Sequence, residues 1–218
     1  MKILNCEAVI FDLDGTLYDK KRIALYSMLK QWKTLYILSH SNKIRRELKG
    51  RDFENEENYF NHFYSKLAEK TSKPQKEVEQ WYTCSFYPGF LNILKKYYRA
   101  RNNLNQLLPA IAEKVPMAVF SDYGYVDERL EALHIDRHFF KVTAGSEEYG
   151  ALKPSARPLL HIASQLGIAA EKILVVGDRQ DTDGKAAEMS GMMFYHIDGA
   201  VGWETFLEDM FNFLKERG

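Results

Sequence analysis

The sequence predicts an α/β protein, a doubly wound parallel sheet interrupted after its first strand by an all-α insertion. Three observations carry this. Five short apolar runs recur along the chain: "AVIF" at 8–11, "MAVF" at 117–120, "KVTA" at 141–144, "ILVV" at 173–176 and "MFYHI" at 193–197. From 117 onward the runs alternate with helical patterns, the signature of a parallel sheet flanked by helices. Between the first two runs the composition shifts: residues 20–98 hold 16 Lys/Arg against 8 Asp/Glu, a balance of +8, and 15 of the 29 aromatic residues. The rest of the 218-residue chain balances at −8, and a shift of this size marks a second structural unit.

Each element has its own signal. The length and β-branched content of the five runs favour strands buried on both faces. Val126, Leu130 and Leu133 share a helical face within 124–133, and Leu159, Ile162, Ala163 and Leu166 do so within 155–166. A further helix is expected over 183–190, with Gly191 as its C-terminal cap. In the insertion, Leu25, Met28, Leu29, Trp32 and Tyr36 fit one helical face, and Phe53, Phe60, Phe63, Tyr64 and Leu67 fit another. Both read as helix core. The expected division is a Rossmann-like unit of residues 1–18 plus 99–218 and a helical unit of 19–98, whose return point lies within "YPGFLNILKKYYRARNN".

Composition bounds the function. With 45% hydrophobic and 28% charged residues, the chain has the make-up of an ordinary globular protein. Its apolar runs fall far short of the roughly 20 residues that a membrane span needs. "MKILNCEAVIFD" is interrupted by Asn5 and Glu7 before it could read as a signal peptide. Cys6 and Cys84 have no metal spacing and cannot build a disulfide framework, so a cytoplasmic location is expected.

The chemistry begins at "AVIFDLDGTLYD", residues 8–19. A strand destined for the core ends in two carboxylates, which is costly unless something compensates them. The other strands end in kind: Ser121 and Asp122 after the second, Asp178, Asp181 and Asp183 after the fourth, with Lys153 just before the helix near 155. In open α/β sheets ligands bind beyond the carboxyl ends of the strands. Acids converging there repel unless a cation intervenes, and oxygen ligation with few protein ligands suits Mg²⁺, which keeps waters and accepts a substrate phosphate.

These residues resemble the haloacid dehalogenase-like phosphohydrolases over essentially the whole chain. The resemblance rests on "DLDGT" at 12–16, "FSD" at 120–122, "LKP" at 152–154 and "VVGDRQDTDG" at 175–184, in that order. It implies that the insertion is a helical cap. It also implies that Asp12 is the nucleophile, forming an aspartyl-phosphate, and that Asp14 is the general acid and base. Ser121 and Lys153 complete the catalytic set. Gly15, Thr16 and Asp122 would bind the substrate phosphate, while Asp12, Asp14, Asp178 and Asp183 would serve the metal. Asp183 is preferred over Asp181, which reads equally as a helix cap.

Asp14 and the metal acids argue against dehalogenation, and the chain has neither the "DKTGT" motif nor the spans of ion pumps. The expected function is a Mg²⁺-dependent phosphatase acting on a small phosphorylated metabolite, with neither membrane nor nucleic acid as partner. Two alternatives stand beside it: a phosphomutase of the hexose 1-phosphate type, and a non-catalytic binding protein whose basic segment docks an acidic partner or nucleic acid. The cluster Lys43, Arg45, Arg46, Lys49 and Arg51 has two readings, a solvated face or a patch overhanging the cleft to hold a second substrate anion.

Overall fold

The computed structural model describes residues 3–30 and 32–217. After β1 (Ala8–Phe11) the chain runs through α1 (Ile23–Lys30), α2 (Leu35–Glu47), α3 (Glu56–Thr71), α4 (Gln75–Trp81) and α5 (Tyr87–Tyr97). It returns through α6 (Leu104–Ala112) to β2 (Met117–Ser121), α7 (Val126–Ala132), β3 (Val142–Gly145) and α8 (Arg157–Leu166). It closes with β4 (Ile173–Gly177), α9 (Lys185–Met189), β5 (Met193–His196) and α10 (Gly199–Glu216). All strand pairs are parallel, in the order β3-β2-β1-β4-β5. The strand order reverses at β1, which places the topological switch, and hence a crevice, at that strand's carboxyl end.

Period-two alternation sorts the sheet's side chains to two faces. Val9, Phe11, Met117, Val119, Leu174 and Val176 enter one core with α6, α7 and α10. Ala8, Ile10, Ala118, Phe120, Ile173 and Val175 enter a second core with α8 and α9. The three central strands are buried throughout, whereas the edge strands β3 and β5 are only half covered along much of their length. Burial on both faces is therefore a property of the sheet's centre, because each edge strand lacks one neighbour.

The helical segment leaves and re-enters the sheet at one place. Tyr18 bridges Ala100, and the Arg101 N–H donates to the Leu17 carbonyl at 2.9 Å. Within the segment, Phe63, Tyr64 and Leu67 are buried as their spacing implies. The other expected face is corrected. A 3₁₀ turn, Trp32–Thr34, separates α1 from α2, so no single helix carries Leu25 through Tyr36. Leu25, Met28, Leu29, Trp32 and Tyr36 are all exposed, and Ile23, Tyr26, Leu35, Ile37 and Leu38 pack inward instead. The turn rotates α2 relative to α1, and the periodicity drawn across it joined outward positions.

A buried polar knot ties the helices to the sheet. Arg45 of α2 pairs with Glu147, in the loop after β3, and donates to the Asp122 carbonyl at 2.6 Å and the Tyr59 hydroxyl at 2.9 Å. Its guanidinium also lies 4.0 Å from the Tyr123 ring centre. Tyr82 and Tyr87 donate to the two Glu147 oxygens, each at 2.5 Å. In an α-helix, residues five apart point to different sides, about 140° from each other. Here a π turn over Tyr82–Phe86, closed by the Tyr87 N–H on the Tyr82 carbonyl, brings both phenols onto one carboxylate. Burial, and then the nearby carboxylate, push both hydroxyls well above the usual phenol range, so they remain donors.

Arg45 is thus committed to Glu147 and is unavailable to a substrate anion, while Arg46 and Lys43 face solvent. Removing one partner of a buried pair strands the other's charge. Glu147→Ala should therefore lower unfolding free energy by about 3–5 kcal/mol. An Arg45→Met/Glu147→Leu double variant removes the stranded charge but still leaves the Tyr82 and Tyr87 hydroxyls and the Gly124 N–H without their acceptor, so it should recover only part of that loss, and urea-unfolding midpoints check both.

Candidate active site

The parallel register brings the strand ends level: Phe11 lies beside Val119 and Val176, and the Asp12 N–H continues the ladder to the Val176 carbonyl at 2.8 Å. The loops that follow β1, β2 and β4 consequently share one edge. At their centre stands the Lys153 ammonium, buried, 2.7 Å from Asp12 Oδ1, 2.8 Å from Asp183 Oδ1 and 2.9 Å from the Phe120 carbonyl. Burial is the largest influence on Lys153 and disfavours its charge, but Asp12 and Asp183 outweigh it, and the pKa lies above the ordinary lysine value. For Asp12, burial dominates and, with the charges of Asp183 and Asp14, raises the carboxyl to about 8 against the lowering by Lys153. Lys153 is what lowers it, and ionising Asp12 at neutral pH calls for positive charge beyond that one ammonium.

Asp12 is only 7% exposed, and its second oxygen accepts from the Thr16 hydroxyl at 3.1 Å. Gly15 sits at φ +97°, where a Cβ would meet Asp178 Oδ2 at 2.3 Å. Glycine is needed there for both the backbone and the space. The Arg101 guanidinium clamps this loop from outside, donating to the Gly15 carbonyl at 2.6 Å and the Thr16 carbonyl at 2.7 Å.

Asp14 turns away from Lys153. Its carboxylate takes hydrogen bonds from Arg129 and Tyr18, and from the Ser121 hydroxyl at 3.1 Å. Arg129, fully buried on α7, also donates to Ser121 Oγ at 2.9 Å. Burial is the largest influence and would raise Asp14, yet Arg129, Tyr18 and Lys20 together hold it below the usual carboxylate value. Ser121 is therefore engaged with Asp14 and Arg129. Asp122 accepts from the Lys153 N–H and the Ser146 hydroxyl, both at 3.3 Å, and stands behind the lysine.

Of the fourth motif's acids, Asp178 and Asp183 enter the site, while Asp181 is exposed and pairs with Arg179 at 2.5 Å. Asp12, Asp178 and Asp183 each offer a carboxylate oxygen within 4.8 Å of the others. Burial, the largest cause, and the charges of Asp183 and Asp14 push Asp178 up even though Lys20 opposes them. Such crowding calls for positive charge. Lys20 supplies some, placing its ammonium 2.6 Å from Asp178 Oδ2 and 2.9 Å from the Asp14 carbonyl. An oxygen set that already gathers an ammonium fits a hard divalent cation. Asp12, Asp178, Asp183 and the Asp14 carbonyl are the groups that would hold one.

Four contributors escape a reading by motif: Lys20, Arg101, Arg129 and Glu147. Arg129 left a trace, since it stands three residues after Val126 on the buried face of α7, where an unpaired charge would be costly. The others act across sequence separations that no local pattern records.

Lys20 and a divalent cation compete for the same oxygens. Lys20→Met should lower the melting temperature in chelator, because the acids lose a counter-charge. It should also tighten Mg²⁺ binding by about two- to fivefold, the size expected of a partly exposed ion pair. Calorimetric titration checks this, and equal affinities in the two proteins would exclude the competition.

A family model for haloacid dehalogenase-like hydrolases matches residues 9–197. Glyceraldehyde 3-phosphate phosphatase of Methanopyrus kandleri is 28% identical over 204 residues, covering 88% of this chain and 83% of that protein. The enzyme of the same name from Methanocaldococcus jannaschii is 24% identical over 199 residues, covering 88% and 84%. Among solved structures, 2-haloacid dehalogenase from Pseudomonas syringae pv. Tomato DC3000 superposes with a TM-score of 0.64 at 20% identity, over 88% of this chain and 86% of that one; this is a likeness of fold. With four motifs gathered at one sheet edge and a family match spanning most of its length, the chain belongs to the haloacid dehalogenase-like hydrolases.

Proposed function

We propose that this enzyme hydrolyses a phosphomonoester of a small molecule through an aspartyl-phosphate on Asp12, with Mg²⁺ as its cofactor. The observation that carries the reading is the Lys153 ammonium shared by Asp12 and Asp183, with Asp178 beside them. With Lys153 and a divalent cation both beside it, Asp12 would be held ionised, as a nucleophile that needs no base. Bound Mg²⁺ would offset the negative charge of the acids and of the transferring phosphoryl group.

In the first half-reaction an Asp12 oxygen bonds to phosphorus and the bond to the leaving oxygen breaks, its electron pair staying on that oxygen. Asp14 protonates it, and an alcohol departs. In the second, water attacks the same phosphorus, Asp14 takes its proton, and the bond to Asp12 breaks to free phosphate. The contacts from Arg129 and Tyr18 favour the ionised Asp14 of the second half. Acting as the acid requires Asp14 to exchange Arg129 for the leaving oxygen, and Ser121, bonded to both, is placed to follow it toward the phosphoryl group. Gly15, Thr16 and Asp122 shape the phosphate's surroundings. The helical segment 19–98 acts as the cap. Free thiols at Cys6 and Cys84 accord with a cytoplasmic setting.

The test is phosphate release from a panel of phosphomonoesters, with and without chelator. Asp12→Asn should lower turnover by at least about a thousandfold, as removal of a nucleophile does, with the fold retained by circular dichroism. Chelator should abolish wild-type activity and Mg²⁺ should restore it. Activity that survives chelation would remove the metal from the mechanism, and a fully active Asp12→Asn would remove the nucleophile.

A further inference from the structure

The acids open into a cavity of about 530 Å³ whose two walls differ in chemistry. Its charged side chains all come from loops at the strand ends: Asp12, Asp14 and Lys20 after β1, Asp122 after β2, and Asp178, Arg179 and Asp183 after β4. The opposite wall, from α1 to α5, carries no charge among the described residues. Ile23, Met28, Leu35, Leu38, Phe86 and Phe90 make most of it. Its polar members, Ser27, Ser39 and Asn42, are neutral.

That wall is unlike the segment that builds it. Residues 20–98 hold 16 Lys/Arg, yet among the described residues only Lys20 of these lines the cavity. Arg45 is consumed by Glu147. Lys49 is not among the side chains that line the cavity.

We infer that the leaving group accepted here is apolar: the substrate class is the phosphomonoester of a hydrophobic alcohol, larger than three carbons and without a second anionic group. This rests on the phosphatase reading above and specifies its substrate. A polyhydroxylated leaving group would lose its water against this wall, with three neutral side chains to compensate it, and each unpaired hydroxyl is costly to bury. A second carboxylate or phosphoryl group directed at this wall would meet no cation there among the described residues, because Lys20 and Arg179 both stand on the acid side. An alkyl or ring carbon skeleton gains from the same contact. The volume lies in the range that encloses ligands of many non-hydrogen atoms. Met28 is both part of the wall and 53% exposed, and Leu25 and Leu29 on the same helix are exposed at 50% and 62%. Apolar surface thus continues out of the mouth for a longer chain to follow.

The test uses ethyl, butyl, hexyl and octyl phosphate with glycerol 3-phosphate and phosphoglycolate. The first five leave as primary alkoxides, so differences in kcat/KM report the pocket rather than the leaving oxygen. In parallel, calorimetry with Mg²⁺ present measures binding of the matching alkylphosphonates, whose carbon–phosphorus bond this chemistry does not cleave. The expected result is a rise of about three- to fourfold per methylene to at least hexyl in both series. Hexyl phosphate should exceed glycerol 3-phosphate and phosphoglycolate by at least about tenfold. A binding slope with no turnover of any ester would uphold the apolar site and overturn the phosphatase reading. A flat series, or preference for glycerol 3-phosphate or phosphoglycolate, would overturn the apolar assignment and leave the phosphatase reading standing. Absence of both binding and turnover would overturn the two together.

Discussion

The site depends on one buried ammonium. Lys153 reaches Asp12 at the end of β1, the Phe120 carbonyl in β2 and Asp183 beyond β4. Burying a charge costs several kcal/mol unless partners surround it, and these partners come from three separate strands or their loops. The lysine therefore acts as a cross-brace between strand ends as well as a counter-charge. Without it, Asp12 and Asp183 would meet Asp178 at a low-dielectric edge with Lys20, which pairs with Asp178, as the nearest counter-charge among the described residues, since Arg129 is taken by Asp14. Gly15 and Gly177 serve the same convergence from the backbone side: a Cβ on Gly177 would fall 2.6 Å from the Asp183 side chain, and one on Gly15 would strike Asp178.

A second brace sets where the helices stand over that edge. Glu147 receives Arg45, Tyr82 and Tyr87 from three parts of the helical segment, and the Gly124 N–H from the loop beyond Ser121. Arg45 in turn fixes the Asp122 carbonyl. The loop that carries Ser121 and Asp122 is thus held by the same buried cluster that holds the helices. The shape of the cavity and the placement of the Ser121 hydroxyl are coupled through one carboxylate. A fully satisfied buried network is rigid and specific, since any partial opening leaves a polar group without a partner.

The charge of the helical segment shows why net charge is a poor guide to a binding site. A balance of +8 suggests a field directed at an anion, but the side chains that carry it are distributed by packing. Arg45 is neutralised in the interior, Arg46 and Lys43 face water, and the wall above the acids is made of aliphatic and aromatic residues. Long-range potential depends on the sum of charges, whereas the chemistry of a pocket depends on which few side chains reach it.

The sequence by itself determined the sheet and its catalytic edge. β1, β2 and β4 are continuous apolar runs because both their faces are buried, and each ends in residues too polar to extend the core, so strand ends and motif residues are read together. The acids at 12, 14, 178 and 183, with Lys153, were legible because they are local signals placed by strand ends. The tertiary structure alone decided the rest. It gave the two neighbouring acids their partners, Lys153 for Asp183 and Arg179 for Asp181, through the turn Gln180–Gly184. It rotated the face of α1 outward at the 3₁₀ turn, against a periodicity that spans the break. It joined Arg45 to Glu147 across 102 residues and Arg129 to Asp14 across 115. Local pattern reports which face of a strand or helix is apolar, because that is fixed by backbone period. Which distant charge meets another is fixed by how the elements pack, and no residue's neighbours in the chain record it.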